Sequence, residues 1–458
     1  MPNNCDVVER RNVELHFTHS TRLAVHNNRD PGGISMSEQK RRRRRERGGA
    51  LTEEQQLKLK AKLADSQARA QQNQLAVRQD RTAKVPLTPA QQRLWTAWQL
   101  DPQDSVYNLA GTLTFQGQLN KAWVQAGFAH LVAKHGILNS RFSEEAGTTV
   151  QQLQNDNAFT FIDIPMQSDI AQQAFEIADK PFDLTAEPLL RVALLEAQGE
   201  CTLLVVMHHI VTDGTSMQQL FNEFIQAYAL LQSQQDLPAI ESKADYLDYA
   251  LWLAKQDHSE LLAKQLTDWQ GALGDDFEPL RLPANSLARQ GGNYPISTQS
   301  LALPNALWQQ VQGLTKQHQV TPYLVLLSAF QYLLHRYSDQ NDVKVGVPIA
   351  NRHHAQTHGL IGFFINTQVV RLEVAPEDCF ASLLEKAKAF SQFAQANQDL
   401  PFEHLLDAIK PERSTGSHPL FQVMFNYLKR DKGAMDACKA YHSKIPKRCA
   451  FRCRLICN

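Results

Sequence analysis

The chain has 458 residues, enough for two domains or two lobes that each bury a sizeable apolar interior. Its 47 lysines and arginines equal its 47 aspartates and glutamates, so the formal net charge is zero and no global field draws in nucleic acid or an anionic membrane. No uninterrupted apolar stretch reaches the roughly 18 to 20 residues a membrane span needs, and the N-terminus lacks the apolar core of a secretory signal, so a soluble cytoplasmic protein is expected. Among the 7 cysteines, Cys5 is near the start, Cys201 and Cys379 lie in ordinary segments, and the rest crowd between Cys438 and Cys457. No spaced disulfide framework is formed that way.

In chain order, residues 1–50 contain "KRRRRRERGG" (Lys40 to Gly49) in polar, aperiodic sequence, which predicts a disordered basic leader with a solvated charge run. Residues 51–85 follow with few Gly or Pro and with Thr52 and Gln55 spaced as a capping box; a charged helical linker is expected. Then "PLLRVALLEA", "GE" and "CTLLVVM" read as two buried strands joined by a turn at Gly199. The adjacent histidines His208 and His209 therefore stand at a strand exit. Beyond Asp213 and Gly214, whose glycine suits a tight turn, Thr215 or Ser216 is expected to cap a helix. Its apolar face carries Leu220, Phe224, Ala227 and Leu231.

Later, "TPYLVLLSAFQYLLHRYS" reads as an apolar helix, and "DVKVGVPIA" and "GFFINTQVVRLEV" as strands. This order of elements predicts an α+β protein of two similar lobes, over 86–265 and 290–428, joined by a connecting segment over 266–289. The tail over 429–458 turns basic and cysteine-rich. Zinc ligation by Cys449, Cys453 and Cys457 is one reading of it, but the spacing matches no standard zinc module, so a tail without evolved structure is expected.

Side chains alternate along a strand, so one of His208 and His209 is expected to enter a cleft while the other packs behind it. Asp213 either orients an imidazole or holds its loop through an arginine, because a buried carboxylate needs such a partner. A core histidine pair and half of a metal site are the competing readings. The His-His-Asp spacing matches none of the usual metal-ligand patterns.

"MHHIVTDG" (Met207 to Gly214) resembles the HHxxxDG signature of the condensation domains of nonribosomal peptide synthetases, within the chloramphenicol acetyltransferase-like superfamily. Further stretches resemble that family's other motifs in the same order: "LTPAQQRLWTAWQLDPQDSVYN" from Leu87, "KHGILNSRF" from Lys134, "DYLDYALW" from Asp245, "VGVPIANR" with "GLIGFFINTQVVR", and "LPFEHLLDAI" with "HPLFQVMFNYL". The resemblance covers about residues 86–428.

It implies two chloramphenicol-acetyltransferase-like lobes in a V shape with a central tunnel. Carrier proteins would present substrates on phosphopantetheine arms, and the amine of an acceptor aminoacyl thioester would attack a donor acyl or peptidyl thioester. Carried over residue by residue, His209 is the central histidine, His208 its supporting neighbour, Asp213 a structural carboxylate and Gly214 the turn that closes the loop. Arg352 is the expected partner of Asp213, with Arg141 as second choice. No cofactor or metal is expected on the domain itself, which should act as a monomer with carrier domains and other synthetase modules as partners, and with neither nucleic acid nor membrane.

This chain departs from the pattern twice. The family commonly has tryptophan after the Asp-Gly, where this chain has Thr215, which removes bulk beside the site. Related domains also continue past "FNYL" through further strands and a helix, whereas the basic tail begins here at once, so the second lobe is expected to be truncated. The rival readings are a catalytically incomplete fragment or a recruiter that binds carrier proteins, an epimerisation domain, and an HHxxxDG acyltransferase using acyl-CoA.

Overall fold

The computed structural model describes residues 75–164, 170–197, 199–241, 243–256, 260–282, 301–409, 419–427 and 456–457. The disordered leader, the capping box at Thr52 and two of the three cysteines read as zinc ligands, Cys449 and Cys453, lie outside those residues; Cys457 lies within them, in a two-residue strand. Residues 75–84, expected as the end of a helical linker, instead form an extended strap with a turn. Tertiary contacts override helix propensity there. The Leu75 N–H donates to Gln356 Oε1 at 2.9 Å, the Arg78 N–H donates to Asp248 Oδ1 at 2.9 Å, and the guanidinium groups of Arg78 and Arg81 both reach Asp245 and Asp248.

The strap runs into β1 (Val85–Pro86), which pairs with β4 (Thr148–Leu153), itself paired with β3 (Ser140–Glu145). A four-stranded sheet follows in the order β2 (Asn108–Gln116), β7 (Glu200–His208), β6 (Leu190–Ala197), β5 (Thr160–Ile164). β7 is antiparallel to both its neighbours, and Gly199 at φ +77° makes the turn from β6 into β7. Leu203 to Met207 are all fully buried, so both faces of β7 are covered and its unbroken apolar run is explained. Helix α1 (Pro89–Leu100) is capped by Thr88 with Gln91 in a capping box. α2 (Lys121–Lys134), α3 (Ile170–Asp179), α4 (Gly214–Gln232) and α5 (Tyr246–Gln256) complete this half. Phe128 of α2 stacks on Phe224 of α4 at 4.6 Å between ring centres.

In the second half, β8 (Asp342–Ile349) is flanked by antiparallel β9 (Asn366–Glu373) and parallel β10 (Val423–Met424), and β11 (Ile456–Cys457) pairs with β10. The helices are α6 (Glu260–Leu273), α7 (Asn305–His318), α8 (Pro322–Ser338), α9 (Phe380–Ala396) and α10 (Phe402–Ile409). α8 starts where its sequence says, with Thr321 accepting from the Leu324 N–H and Pro322 in the first turn. Leu262, Trp269 and Leu273 of α6 share a core with Leu400, Phe402 and Leu405, so α6 packs with the second half.

One stretch crosses the other way. The apolar run "GFFIN" reads as the opening of a strand, yet β9 starts only at Asn366, and Ile361, Phe363 and Phe364 are buried in the core of the first half. Their backbone groups are taken by side chains instead of a ladder: the Tyr246 hydroxyl donates to the Phe363 carbonyl at 2.7 Å and the Phe364 N–H donates to Asp213 Oδ2 at 3.1 Å. Among the described residues no helix is long and apolar enough to cross a membrane.

Candidate active site

β7 ends at His208, which lies opposite Asn108 in the ladder, and the His209 N–H donates to the Tyr107 carbonyl at 2.8 Å. His209 to Val211 form a 3-10 turn. The two imidazoles therefore diverge through this turn and not through strand alternation. His208 Nδ1 accepts from the Ile210 N–H at 3.2 Å and caps the turn. Its ring is 3% exposed and lies beside Tyr107 and Phe182. Burial, with smaller contributions from His209 and Arg191, pushes its pKa down to about 3, so it is neutral at neutral pH.

His209 is half-buried, with Phe363 edge-on at 5.3 Å between ring centres. Its Nδ1 lies 2.9 Å from the Thr212 carbonyl oxygen. A carbonyl only accepts, so Nδ1 carries the proton and the neutral ring keeps its lone pair at Nε2. Burial lowers this pKa too, outweighing the Thr212 carbonyl and the Asp213 carboxylate, which raise it. The neighbours are thus opposite tautomers: His208 offers Nδ1 as an acceptor to the backbone, and His209 keeps Nε2 as a base.

Asp213 is 1% exposed and serves three partners. It is the N-cap of α4, accepting from the Ser216 N–H at 2.7 Å; it accepts from Phe364; and Arg352 Nη2 lies 3.3 Å from each of its oxygens. The expectation that Thr215 or Ser216 caps this helix is corrected here, because both already lie in its first turn. Gly214 is the first helical residue and is absent from the glycines with positive φ among the described residues. Thr215 is exposed. Arg352 also donates through Nη1 to the carbonyls of Thr357 and Leu360, both at 2.7 Å, and its guanidinium lies 4.0 Å from the Phe364 ring centre. Arg141 is not brought to Asp213; it reaches the carbonyl oxygens of Ala186 and Ser140 and, at 3.8 Å, Asp156.

Several contacts that complete this arrangement were not foreseen from sequence. The Ser216 hydroxyl donates to the Gly362 carbonyl at 2.8 Å and accepts from Arg352 Nη2 at 2.7 Å. Gly362 admits no side chain, since a Cβ there would stand 2.0 Å from Tyr246 Cδ2. Gln91 of α1 donates to the Ile210 carbonyl at 3.0 Å and so braces the histidine turn. The glycine-aromatic run beside Arg352 and the tyrosine of "DYLDYALW" were the available signals, but nothing local says that they touch.

The family model for the condensation domain matches residues 81–443. Over 354 residues the chain is 36% identical to one of the linear gramicidin synthase proteins of Brevibacillus parabrevis, covering 75% of this chain and 7% of that protein. It is 31% identical over 359 residues to the dimodular nonribosomal peptide synthase of Bacillus subtilis (strain 168), covering 76% of this chain and 15% of the relative. The chain thus spans a small part of the curated relatives it matches. Similar solved structures include the first condensation domain of the CDA synthetase, with a TM-score of 0.63, 22% identity, and coverage of 77% of this chain and 85% of that one. The X-domain from teicoplanin biosynthesis has a TM-score of 0.67 and 23% identity, covering 77% of this chain and 79% of that one.

Proposed function

The chain belongs to the condensation-domain family of nonribosomal peptide synthetases, and we propose that it joins a donor acyl or peptidyl thioester to the amine of an acceptor aminoacyl thioester, both held on carrier proteins. The observation that carries this reading is the 2.9 Å contact between His209 Nδ1 and the Thr212 carbonyl oxygen, which puts the proton of a neutral ring on Nδ1 and leaves the lone pair on Nε2. Such a group can hold an amine by accepting its N–H and can take its proton as the tetrahedral intermediate forms or collapses.

One base suffices for this chemistry. A thioester is already an activated acyl donor, and an α-amine with a pKa of about 7.7 to 8.0 is partly neutral near pH 7. No side-chain nucleophile is required. General-base help contributes roughly 10² to 10⁴ in rate, whereas orientation contributes about 7 to 11 kcal/mol. His209 therefore acts mainly by positioning the amine and secondarily as a base. His208 is a support, since its Nδ1 is occupied by the Ile210 N–H and it is buried. Asp213 and Arg352 hold the start of α4 against the crossing segment, which sets the geometry around His209. The reading calls for no cofactor on the domain; the pantetheine thiols belong to the carriers.

The test presents the chain with two aminoacyl-loaded carrier proteins and follows amide formation by intact-protein mass spectrometry. Amide product supports condensation. Inversion of an L-aminoacyl thioester would indicate an epimerisation domain, transfer from acyl-CoA to an alcohol would indicate the acyltransferase, and carrier binding without product would indicate a recruiter or incomplete fragment.

A further inference from the structure

His353, His354 and Asp399 bring one ring nitrogen each and a carboxylate oxygen within 4.8 Å of one another, the one such grouping among the described residues. His353 and His354 follow Arg352 in the loop after β8, and Asp399 lies in the connection between α9 and α10. The polar atoms are already turned toward each other. His353 Nε2 is 2.8 Å from Asp399 Oδ1, and the two imidazole centres are 4.6 Å apart.

The cluster has the supports a ligand set needs. Gln265, 2% exposed, donates to Asp399 Oδ2 at 2.9 Å and accepts from the Leu400 N–H at 2.9 Å, so a buried side chain fixes the second carboxylate oxygen and leaves Oδ1 to the cluster. His354 lies edge-on to Trp252 at 4.5 Å, which fixes its ring plane. Asn351, with φ +49°, makes the turn that leads the chain into the histidines. We infer that His353, His354 and Asp399 form a binding site for a divalent transition metal, zinc in the first instance, that ties the loop after β8 to the connection between α9 and α10.

Two imidazoles and one carboxylate suit zinc and cobalt better than magnesium or calcium, which prefer all-oxygen sets. Metal–ligand bonds of about 2.0 to 2.2 Å put neighbouring ligand atoms about 3.3 Å apart in a tetrahedron, so side-chain rotations of about 1 Å close the set. Three protein ligands leave the fourth position to water. The metal would replace the direct contact between His353 Nε2 and Asp399 Oδ1. Because Arg352 immediately precedes the ligands, occupancy would also brace the Arg352 clamp on Asp213.

The test is titration of the full chain, freed of metal and with its thiols alkylated, with zinc at neutral pH, run beside the His354→Ala and Asp399→Asn variants. One saturable equivalent, a cobalt adduct with tetrahedral visible absorption, and about tenfold or greater weakening in either variant are expected. Asp399→Asn changes no shape, so it guards against a variant that fails to fold. Absence of a saturable equivalent, or binding that both variants keep unchanged, would overturn the site. An equivalent seen only before alkylation would overturn it as well, since the cysteines would then be the ligands.

Discussion

Asp213 and Arg352, 139 positions apart, meet where the chain crosses between its two halves, with Arg352 Nη2 3.3 Å from both carboxylate oxygens. Both side chains are buried, at 2% and 7% exposure. Removing one partner strands the other's charge in the interior, so Arg352→Ala should destabilise the fold by about 3 to 5 kcal/mol. Arg352→Lys keeps the charge but not the fork that also serves Thr357 and Leu360, and should cost less, about 1 to 3 kcal/mol. Urea unfolding of the three proteins checks the order.

His208 makes the fold acid-sensitive. Its folded pKa of about 3 lies below the ordinary 6.5, so between those values the unfolded chain binds a proton that the folded chain refuses. The associated stability is fully present above pH 6.5 and is lost as pH falls toward 3, by up to about 1.4 kcal/mol per pH unit. His209, shifted the same way, adds to the loss. His208→Asn keeps an acceptor for the Ile210 N–H and removes the titration. Its stability should fall less between pH 6.5 and 4.5 than the wild type's; equal slopes in denaturant titrations at several pH values would contradict this.

Gly362 has no room to grow. An added methyl would overlap the Tyr246 ring, whose hydroxyl also holds the Phe363 carbonyl. Gly362→Ala should cost about 1 to 3 kcal/mol by overpacking and should displace Phe363 from the His209 ring. The paired change Tyr246→Leu should recover part of that loss. Thermal unfolding of the single and double variants reports the coupling, and strict additivity would count against direct contact.

The strap before β1 depends on charge. Asp248, with a side chain 0% exposed, is neutralised by Arg78 and Arg81, and Arg78 is itself 6% exposed. Arg78→Ala should destabilise by about 3 to 5 kcal/mol, and Arg81→Ala by less because its side chain is 29% exposed and water screens it. Limited proteolysis should cut the strap first in the Arg78 variant.

Much of this was legible because local rules decide it. The buried strands around Gly199, the helix after Thr321 and the strand from Asp342 follow from periodicity and caps, and the motif order led to Arg352 as the partner of Asp213. What failed was set by distant contacts. "GFFIN" is apolar enough for a strand, but Tyr246 and Asp213 take its backbone groups. Ser216 looks like a cap, yet its hydroxyl is engaged by Gly362 and Arg352 while Asp213 does the capping. The strap reads as the end of a helical linker because the segment has few Gly or Pro, and contacts far along the chain, with Asp245, Asp248 and Gln356, explain why it is extended.

In the proposed reaction His209, through Nε2, holds and deprotonates the attacking amine. The most direct measurement is the single-turnover rate of amide formation between two loaded carrier proteins, for wild type, His209→Ala and His208→Asn. Wild type should form product, His209→Ala should be slower by about 10² or more, and His208→Asn should retain most of the rate at neutral pH. A wild-type rate that His209→Ala leaves unchanged would contradict the assignment.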